Sequence, residues 1–355
     1  MRGLIVGFGN IAQGHLQGYS TITDLEPVAV VDVTAARREV ALRHGLLAFG
    51  SIAEAINSTD IDFVDICTPP SLHIDGIRHA IAAGLPVICE KPVFVPGDSG
   101  YGDVLDHVWR GGTLVYPCQN YKYAPIISRV REILSSGTVG SIQHARVDIA
   151  RRGHACGVAE WKPDWRRDPV YSTGGILRDH GTHAVYLILS LLGQQAEEVS
   201  VMNGTLAPGH AVMTTEDTAI MRLRCDKGAE VNVSLTWAAG NRSSRYLFAG
   251  TQGFVSIDND VLTWSAEGRT FRDRVRSDFD DASHSAWFAT MFADFARLAH
   301  QGASGLAESI NLIAESLHTT AVIDAGYESA RAGGAWKAVA ALPPGGVCDE
   351  DIRTA

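Results

Sequence analysis

Three small residues near the start of the chain have the spacing of a phosphate-binding turn. Gly7, Gly9 and Ala12 form a Gly-x-Gly-x-x-Ala pattern between a strand-like apolar run and an amphipathic stretch. Gly7 permits a tight turn, Gly9 lets the backbone approach a pyrophosphate, and Ala12 is small enough for close helix–strand packing. The helix start at Asn10 and Ile11 would offer N–H groups and a positive dipole end to the phosphates. The pattern predicts a dinucleotide site; a turn that is merely rich in glycine is the alternative.

An acidic residue follows these glycines at the distance that a ribose contact requires. Asp32 ends the second apolar run, and the dinucleotide pattern places an acid about 20 residues beyond the glycines, bonded to the ribose 2′-OH. Because a 2′-phosphate would meet this carboxylate, we expect NAD rather than NADP. Arg37 and Arg38 lie just beyond and would tolerate a phosphate, which keeps NADP as the less favoured cofactor. In the alternative interpretation, Asp32 caps the helix that begins at Ala35.

Two polar segments come directly after later strand-like runs. Open α/β sheets bind ligands outside the carboxyl ends of their strands, where Cys67–His73 and Glu90–Pro92 are expected to lie. A charged pair followed by proline at such an end is a poor structural choice and a good functional one. Lys91 would lie beside a nicotinamide ring and donate to a substrate oxygen. A surface ion pair between Glu90 and Lys91 is the alternative.

One predicted helix, from about Ile176 to Leu192, carries further proton-transfer groups. Asp179 and His183 are four residues apart, so they share one face of this helix. His180 points about 100° away. Gly181 costs about 1 kcal/mol relative to alanine in a helix, which is easier to accept if a cofactor or substrate passes close by. A structural histidine with an aspartate partner is the alternative.

A long irregular loop, residues 152–173, precedes this helix. Long loops in compact domains are often functional, and Trp161 and Trp165 offer faces suited to sugar rings. Packing of the loop onto the sheet is the alternative. The weaker candidates for substrate contact are His154, Trp165, Arg166 and His180.

The first 116 residues predict the scaffold for these groups, a parallel sheet with helices on both faces. Short apolar runs without in/out alternation are interleaved with longer amphipathic stretches, which is typical of such a sheet. Gly45 and Gly84 follow two of the predicted helices as left-handed caps. The predicted strands are Gly3–Val6, Val28–Val31, Phe63–Ile66, Val87–Cys89 and Thr113–Tyr116, and the predicted helices are Ile11–Ser20, Ala35–His44, Ile52–Ile56, Leu72–Ala83 and Ser99–Trp109.

The later residues predict a different sheet. Short, partly alternating runs separated by turn residues indicate antiparallel hairpins. Two late helices, Ala286–His300 and Leu306–Ala325, should pack back on the body, and the glycine- and proline-rich tail after Leu342 is expected to be loose. The predicted strands are Gln143–Ile149, Thr218–Leu223, Glu230–Trp237, Tyr246–Ala249, Phe254–Ile257 and Val261–Trp264, with a helix at Ile126–Leu134.

Composition limits the class of protein. The 355 residues include 30 Lys+Arg and 40 Asp+Glu, a net charge of −10, with 46% hydrophobic and 20% charged residues. These values exclude a disordered or fibrous chain, and the length suggests two domains. The acidic balance argues against nucleic acid or an anionic membrane as a partner. Six scattered cysteines, a start without signal-peptide features and no apolar run of membrane-spanning length favour a cytoplasmic protein without a disulfide framework or a metal site.

Three motifs in their order resemble one family. The chain resembles the glucose–fructose oxidoreductase / inositol dehydrogenase (Gfo/Idh/MocA) family in the segments Gly7–Ala12, Thr68-Pro69-Pro70-x-x-His73 and Glu90–Pro92. The similarity covers nearly the whole chain. The resemblance implies an N-terminal Rossmann domain, residues 1–120. It also implies a C-terminal α/β domain with an open, mostly antiparallel sheet, residues 121–342, before a loose tail at 343–355. Members commonly pair through their open sheets, so a homodimer or homotetramer is expected.

The same resemblance implies a site and an activity. It assigns Lys91, Asp179 and His183 to catalysis, with hydride transfer between a nicotinamide cofactor and a sugar, polyol or cyclitol. An NAD-dependent glycoside hydrolase that uses transient oxidation, and a non-catalytic dinucleotide or sugar sensor, remain alternatives. Two departures from the family pattern, residues 93–98 and the additional His180, leave the substrate open. The expected cofactor-binding residues are Gly7, Gly9, Asn10, Ile11, Ala12, Asp32, Thr68, Pro69, His73, Glu90, Lys91 and Asn120.

Overall fold

The fold is taken from a computed structural model, which describes residues 1–95, 100–207, 215–276 and 285–341. The tail predicted to be loose, residues 343–355, lies outside the described residues, as do positions 96–98 of the segment that departs from the family pattern. No helix in the described ranges has the length and apolar character needed to cross a membrane.

The first sheet has six parallel strands in the order β3-β2-β1-β4-β5-β6. This order is that of a Rossmann fold, in which the strand sequence reverses beside β1. The predicted strands are confirmed to within two residues, and β3 is an addition that its short, partly exposed sequence did not reveal. The strands are β1 (Arg2–Val6), β2 (Glu26–Val31), β3 (Leu47–Phe49), β4 (Phe63–Ile66), β5 (Val87–Cys89) and β6 (Val115–Pro117).

Helices cover both faces of this sheet, as predicted. Leu4 and Val64 pack on one face with the third to fifth helices, whereas Ile5 and Phe63 pack on the other. Two of the predicted helix ends are confirmed by left-handed glycines, with φ of +79° at Gly45 and +68° at Gly84. The helices are α1 (Asn10–Tyr19), α2 (Ala35–Arg43), α3 (Ile52–Ser58), α4 (His73–Ala82) and α5 (Tyr101–Trp109).

The second sheet has nine strands in the order β14-β13-β12-β11-β7-β10-β9-β8-β15. All neighbours are antiparallel except β7 and β10, so the expectation of an open, mostly antiparallel sheet is confirmed. The strands β8, β14 and β15 were not predicted. The strands are β7 (Ile142–Ala150), β8 (Ala196–Gly204), β9 (Thr218–Cys225), β10 (Glu230–Thr236), β11 (Ser243–Gly250), β12 (Phe254–Asp258), β13 (Val261–Ala266), β14 (Arg269–Arg274) and β15 (Lys337–Ala338).

Five further helices complete the fold of the described residues, and the last two pack back on the body. Phe288 and Phe292 of the second-last helix pack beside Phe63 and Tyr19 of the first sheet and α1, so the late helices return to the N-terminal half as predicted. The predicted domain boundary at residue 120 falls between the two sheets, and we retain it as a proposal. These helices are α6 (Pro125–Ser135), α7 (Pro169–Ser172), α8 (Ile176–Leu192), α9 (Ser285–His300) and α10 (Ala303–Arg331).

Candidate functional site

Two adjoining cavities lie at the carboxyl ends of the parallel strands. The first has a volume of about 150 Å³ and is lined by the glycine turn after β1 and by residues that follow β2 and β4. The second has a volume of about 450 Å³ and extends to α8, the C-terminal end of β7 and the residue before β11. Their common wall consists of Ile11, Cys67, Thr68, Trp165 and Arg166, so a long ligand would span both cavities.

The glycine turn has the geometry needed to approach a phosphate group. Gly7 has a φ of +86°, a left-handed conformation that favours glycine. Gly9 precedes α1 as its N-cap, with no side-chain hydrogen bond to cover the helix end. A Cβ added to Gly9 would meet no atom within 4 Å, so open space lies in front of this backbone. Free N–H groups at the start of α1 and this open space fit a dinucleotide pyrophosphate.

Asp32 is held in place at the wall of the first cavity. Its Oδ2 accepts a hydrogen bond from the Phe8 amide at 2.8 Å, and its Oδ1 accepts one from the Thr34 amide at 2.8 Å. Thr34, rather than Asp32, is the N-cap of α2, so the capping interpretation of Asp32 is wrong. Arg37 donates to the Phe8 carbonyl at 2.8 Å and lies 3.5 Å from Glu160. These two contacts engage the guanidinium group that would otherwise bind a 2′-phosphate.

Lys91 and Asp179 meet in the second cavity. Lys91 Nζ lies 2.6 Å from Asp179 Oδ1 and donates to the Asp179 backbone carbonyl at 3.1 Å. Burial alone would raise the pKa of Asp179, but Lys91, His180 and Arg166 hold it well below its ordinary value, so the carboxylate is charged. An ammonium group has three donors. The two contacts with Asp179 leave one donor of Lys91 for another oxygen.

The Glu90 carboxylate contacts the buried His15 and not the ammonium group of Lys91. Its Oε1 lies 3.2 Å from His15 Nε2 in the interior, and its Oε2 accepts from the Lys91 backbone amide at 3.2 Å. Burial on its own would raise the pKa of Glu90, but His15 and Lys91 lower it. The interpretation of Glu90 and Lys91 as a surface ion pair is therefore wrong.

His183 lines the same cavity and is oriented by two tyrosines. His183 Nδ1 lies 2.8 Å from Tyr186 Oη, one helical turn further along α8. Tyr186 Oη also accepts a hydrogen bond from the Tyr121 amide at 3.3 Å. The Tyr121 ring lies over His183, with 4.2 Å between ring centroids. These contacts engage Nδ1 and orient the imidazole ring in the cavity.

His180 also faces the second cavity, although it lies about 100° from its neighbours on the helix. Trp237 Nε1 donates to His180 Nδ1 at 3.2 Å, and Asp179 Oδ2 lies 3.5 Å from the same nitrogen. Burial lowers the pKa of His180 to about 4, so the ring is neutral at pH 7.

The loop after β7 folds over the first cavity instead of packing onto the sheet. Asn10 donates from Nδ2 to the Cys156 carbonyl at 3.0 Å, which ties the loop to the start of α1. Trp161 and Trp165 line the first cavity, and the Arg166 guanidinium lies 4.3 Å from the Trp165 ring centroid. The second cavity is lined by three residues that the sequence analysis proposed as substrate contacts, namely His154, Trp165 and Arg166.

Three residues that the sequence analysis singled out line neither cavity. Ala12 is fully buried behind the glycine turn and lines neither cavity, which fits its packing role. His73 is also fully buried, with its ring nitrogens 2.8 Å from the Thr68 and Pro92 carbonyls, so it joins the two motif segments from behind. Gly181 faces Ile323 and other apolar side chains, so close helix packing, rather than a passing ligand, accounts for this glycine.

The remaining predicted positions line the cavities, together with residues that sequence reasoning missed. Gly7, Gly9, Asn10, Ile11, Asp32, Thr68 and Pro69 line the first cavity, and Glu90, Lys91 and Asn120 line the second. The missed residues include Tyr121, Arg151, Arg152 and Arg242, which also line the second cavity. A signal for Arg151 existed, because it lies two residues beyond the predicted strand Gln143–Ile149, at the end that points to the site.

Comparisons with known proteins agree with this arrangement. A sequence profile described as "Oxidoreductase family, NAD-binding Rossmann fold" matches residues 1–100, and one described as "GFO/IDH/MocA C-terminal domain" matches residues 127–256. Inositol 2-dehydrogenase of Rhizobium meliloti (strain 1021) is 25% identical over 334 residues, which cover 92% of this chain and 95% of that protein.

Two solved structures share the fold over nearly the whole chain. An oxidoreductase from Agrobacterium radiobacter, in complex with NAD+, L-tartaric acid and magnesium, has a TM-score of 0.79 at 19% identity and covers 96% of this chain and 98% of its own. Levoglucosan dehydrogenase in complex with NADH has a TM-score of 0.77 at 20% identity, with 96% and 100% coverage. At these identities the two structures support the fold alone.

Proposed function

We propose that this chain, which belongs to the GFO/IDH/MocA family of NAD-binding oxidoreductases, transfers a hydride between NAD and the carbinol or carbonyl carbon of a sugar, polyol or cyclitol. Lys91, Asp179 and His183 are the proposed catalytic residues. The observation that carries the proposal is that all three line one cavity, and that this cavity adjoins the glycine turn of the NAD-binding domain.

The first cavity fits the cofactor by its own chemistry. The uncapped start of α1 at Gly9 offers N–H groups to the pyrophosphate, and Asp32 offers a carboxylate to a ribose hydroxyl. Arg37 is engaged by the Phe8 carbonyl and by Glu160, which supports NAD over NADP. NAD, when bound, supplies or accepts the hydride. The chain must position the reacting carbon and handle one proton.

His183 is the proposed proton-transfer group. A neutral imidazole acts as a base through the nitrogen that lacks a proton. For Nε2 to accept the proton of a substrate hydroxyl, Nδ1 must carry the ring proton and donate it to Tyr186 Oη, which lies 2.8 Å away. In the reverse direction, His183 returns the proton to the oxygen of a ketone.

Lys91 is the proposed electrostatic group. Its remaining ammonium donor would bind the reacting oxygen and stabilise the negative charge that develops there. Asp179 accepts from Lys91 Nζ at 2.6 Å, keeps the ammonium in place and stabilises its charge. Neither group is consumed, because the hydride leaves with the cofactor and the proton with His183.

The proposal is tested by binding and by turnover. Fluorescence titration should show that the protein binds NAD more tightly than NADP. A screen of polyols, sugars and cyclitols with NAD should identify a compound whose oxidation produces the absorbance of NADH. Lys91→Ala should lower kcat by about 10²-fold or more, because one oxyanion donor contributes that much, while NAD affinity stays close to wild type. Lys227→Ala, which removes a lysine bonded to the Gly193 carbonyl outside both cavities, is the control.

Other outcomes would overturn this assignment in different ways. Absence of dinucleotide binding would reject the cofactor and the reaction together. Release of sugar from aryl glycosides with bound NAD, and without net NADH, would replace it by glycoside hydrolysis. Tight NAD and sugar binding without turnover on any compound would favour a sensor.

We also propose that the chain is a cytoplasmic homodimer or homotetramer that pairs through the open face of its second sheet. Met202 and Ile220 are large apolar side chains exposed on the neighbouring strands β8 and β9, and they support an interface there. Light scattering on wild type and on Ile220→Lys should show a loss of assembly in the variant. A monomeric wild type would contradict the proposal.

A further inference from the structure

The second cavity has the opposite charge balance to the chain as a whole. The sequence has 40 acidic and 30 basic residues, not counting histidine. Among the described residues, five cationic side chains line the second cavity, against two acidic ones. The cations are Lys91, Arg151, Arg152, Arg166 and Arg242, and the acids are Glu90 and Asp179. A local excess of cations in an acidic protein points to the charge of the ligand.

The two acids are already engaged by groups that they hold in place. Asp179 is paired with Lys91 at 2.6 Å, and Glu90 lies 3.2 Å from the buried His15. Arg166 lies on the wall shared with the first cavity, where a dinucleotide phosphate can engage it. Arg151 and Arg152, which line the second cavity alone, therefore carry positive charge that neither acid neutralises, and Arg242 adds a third guanidinium to the same lining.

Arg151 is a buried cation with only neutral partners. It is 3% exposed, and its guanidinium donates to the Ala150 and Ser243 carbonyls and to Ser244 Oγ. Within the described residues no acid lies in ion-pair distance of it, and its Nε has no hydrogen-bond partner. Burial of a charge without a counter-ion is costly, and a bound anion would reduce that cost.

Arg152 is exposed and is held by no hydrogen bond or ion pair in the described part of the chain. The sheet register places Arg152 near Arg151 and Arg242. Ala150 at the end of β7 pairs with Ser243 at the start of β11, so Arg151–Arg152 and Arg242 flank the same edge of the sheet. Three guanidinium groups at one edge of a cavity are a typical arrangement for an oxyanion.

We propose that the substrate carries an anionic oxygen group, a carboxylate or a phosphate ester, which the Arg151, Arg152 and Arg242 edge binds while the reacting carbinol lies at Lys91 and His183. The inference rests on the proposed function, since it specifies the substrate of that same site. It separates acidic sugars and polyols from the neutral ones that share their hydroxyl pattern.

Matched pairs of compounds test the charge directly. D-gluconate and sorbitol 6-phosphate are compared with sorbitol, and D-glucuronate with glucose, at saturating NAD. We expect kcat/KM for one anionic class to exceed that of its neutral partner by about tenfold or more, because hydrogen bonds between charged groups are stronger than those to neutral groups. The carboxylate and phosphate arms identify which oxyanion the edge accepts. The preference should weaken as salt concentration rises.

Variants connect the preference to the edge. Arg152→Gln, at an exposed position that should tolerate the change, is expected to raise KM for the anionic compound about tenfold with a smaller effect on kcat, because binding is lost more than transition-state stabilisation. Arg110→Gln removes an exposed arginine next to α5, outside both cavities, and should leave the preference unchanged.

A binding measurement separates failure of this inference from failure of the proposed function. Each compound is titrated into the enzyme–NADH complex and followed by NADH fluorescence. Turnover of neutral compounds with no anionic preference would overturn the inference and leave the function intact. Preferential binding of anions without turnover of any compound would support the charge inference and overturn the function. Equal binding of anionic and neutral compounds would overturn the inference whatever the turnover.

Discussion

The residues that carry the proposed chemistry are linked through a small number of specific contacts. Asp179 and His183 both lie on α8, and the ion pairs of Asp179 run to Lys91, Arg166 and His180. His183 is oriented by Tyr186. The aspartate therefore acts on the lysine, and the tyrosine acts on the histidine, so the proton-transfer group and the charge-stabilising group have separate supports.

Tyr186 is a positioning residue in this arrangement, and its hydroxyl can be removed without altering the ring. Positioned proton transfer contributes roughly 10²–10⁴-fold to an enzymatic rate, so we expect Tyr186→Phe to lose about tenfold in kcat by releasing His183. The pH dependence of kcat should also differ between Tyr186→Phe and wild type, because His183 Nδ1 has lost its hydrogen-bond partner. Tyr101→Phe, away from both cavities, is the matched control. An unchanged pH profile in Tyr186→Phe would contradict the role.

At the scale of elements, the start of α8 determines where the proposed catalytic side chains of that helix lie. Glu216 accepts hydrogen bonds from the Gly175 amide at 3.2 Å, the Leu177 amide at 3.0 Å and the Tyr327 hydroxyl at 2.7 Å. A Cβ added to Gly175 would lie 2.0 Å from the Glu216 carbonyl oxygen, so this position requires glycine. Gly175 is therefore needed for the capping of α8 by a residue of the segment before β9.

Removal of this cap should weaken both stability and activity. We expect Glu216→Ala to lower the free energy of unfolding by about 1–2 kcal/mol, because a helix cap contributes roughly that amount. kcat should fall as well, since α8 carries Asp179 and His183. Urea unfolding and NADH production measure the two effects. Glu198→Ala, which removes an exposed carboxylate paired with Arg224, is the control, and equal losses in both variants would contradict the cap.

At the scale of the whole molecule, one buried histidine joins the two halves. His15 on α1 lies 2.8 Å from Asp65 of β4 and 3.2 Å from Glu90, and its ring lies 4.4 Å from that of Phe288 on α9. Burial on its own would lower the pKa of His15, but Asp65 raises it well above 6.5. The protonated ring neutralises carboxylates from two strands beneath the site and packs against a helix from the C-terminal half.

This network predicts how stability varies with pH. Because the pKa of His15 is raised on folding, its contribution is fully present below about pH 6.5 and is lost as the pH rises through the folded value. The free energy of unfolding of wild type should therefore fall as the pH is raised above about 6.5. Glu90, whose pKa is lowered, contributes above about pH 4.3 and loses its contribution as the pH falls.

Two variants isolate the contribution of His15. His15→Gln leaves buried carboxylates without a cation and should lower the free energy of unfolding by about 3–5 kcal/mol. The decrease in stability above about pH 6.5 should be absent in this variant. His79→Gln removes a partly exposed histidine of α4 and should keep the slope. If His15→Gln does not fold, the wild-type curve still decides, since stability that rises from pH 6.5 to alkaline pH would contradict a charged His15.

The sequence by itself determined the features that depend on neighbours along the chain. The glycine turn, the two left-handed helix ends and the bounds of α8 followed from local conformational preference and helical periodicity, which act over a few residues. The unpredicted β14 shows the limit of such patterns, because its six residues are all exposed and show no alternation.

Only the tertiary structure decided which groups meet. Lys91 and Asp179 are 88 residues apart, and sheet order and helix packing bring them into contact. Likewise, Arg242 reaches the edge beside Arg151 through the register of β7 with β11. Such contacts depend on how separate elements pack in space, which local spacing does not encode. The sequence could therefore name the proposed catalytic groups, while packing decided their partners and the charge of the cavity that surrounds them.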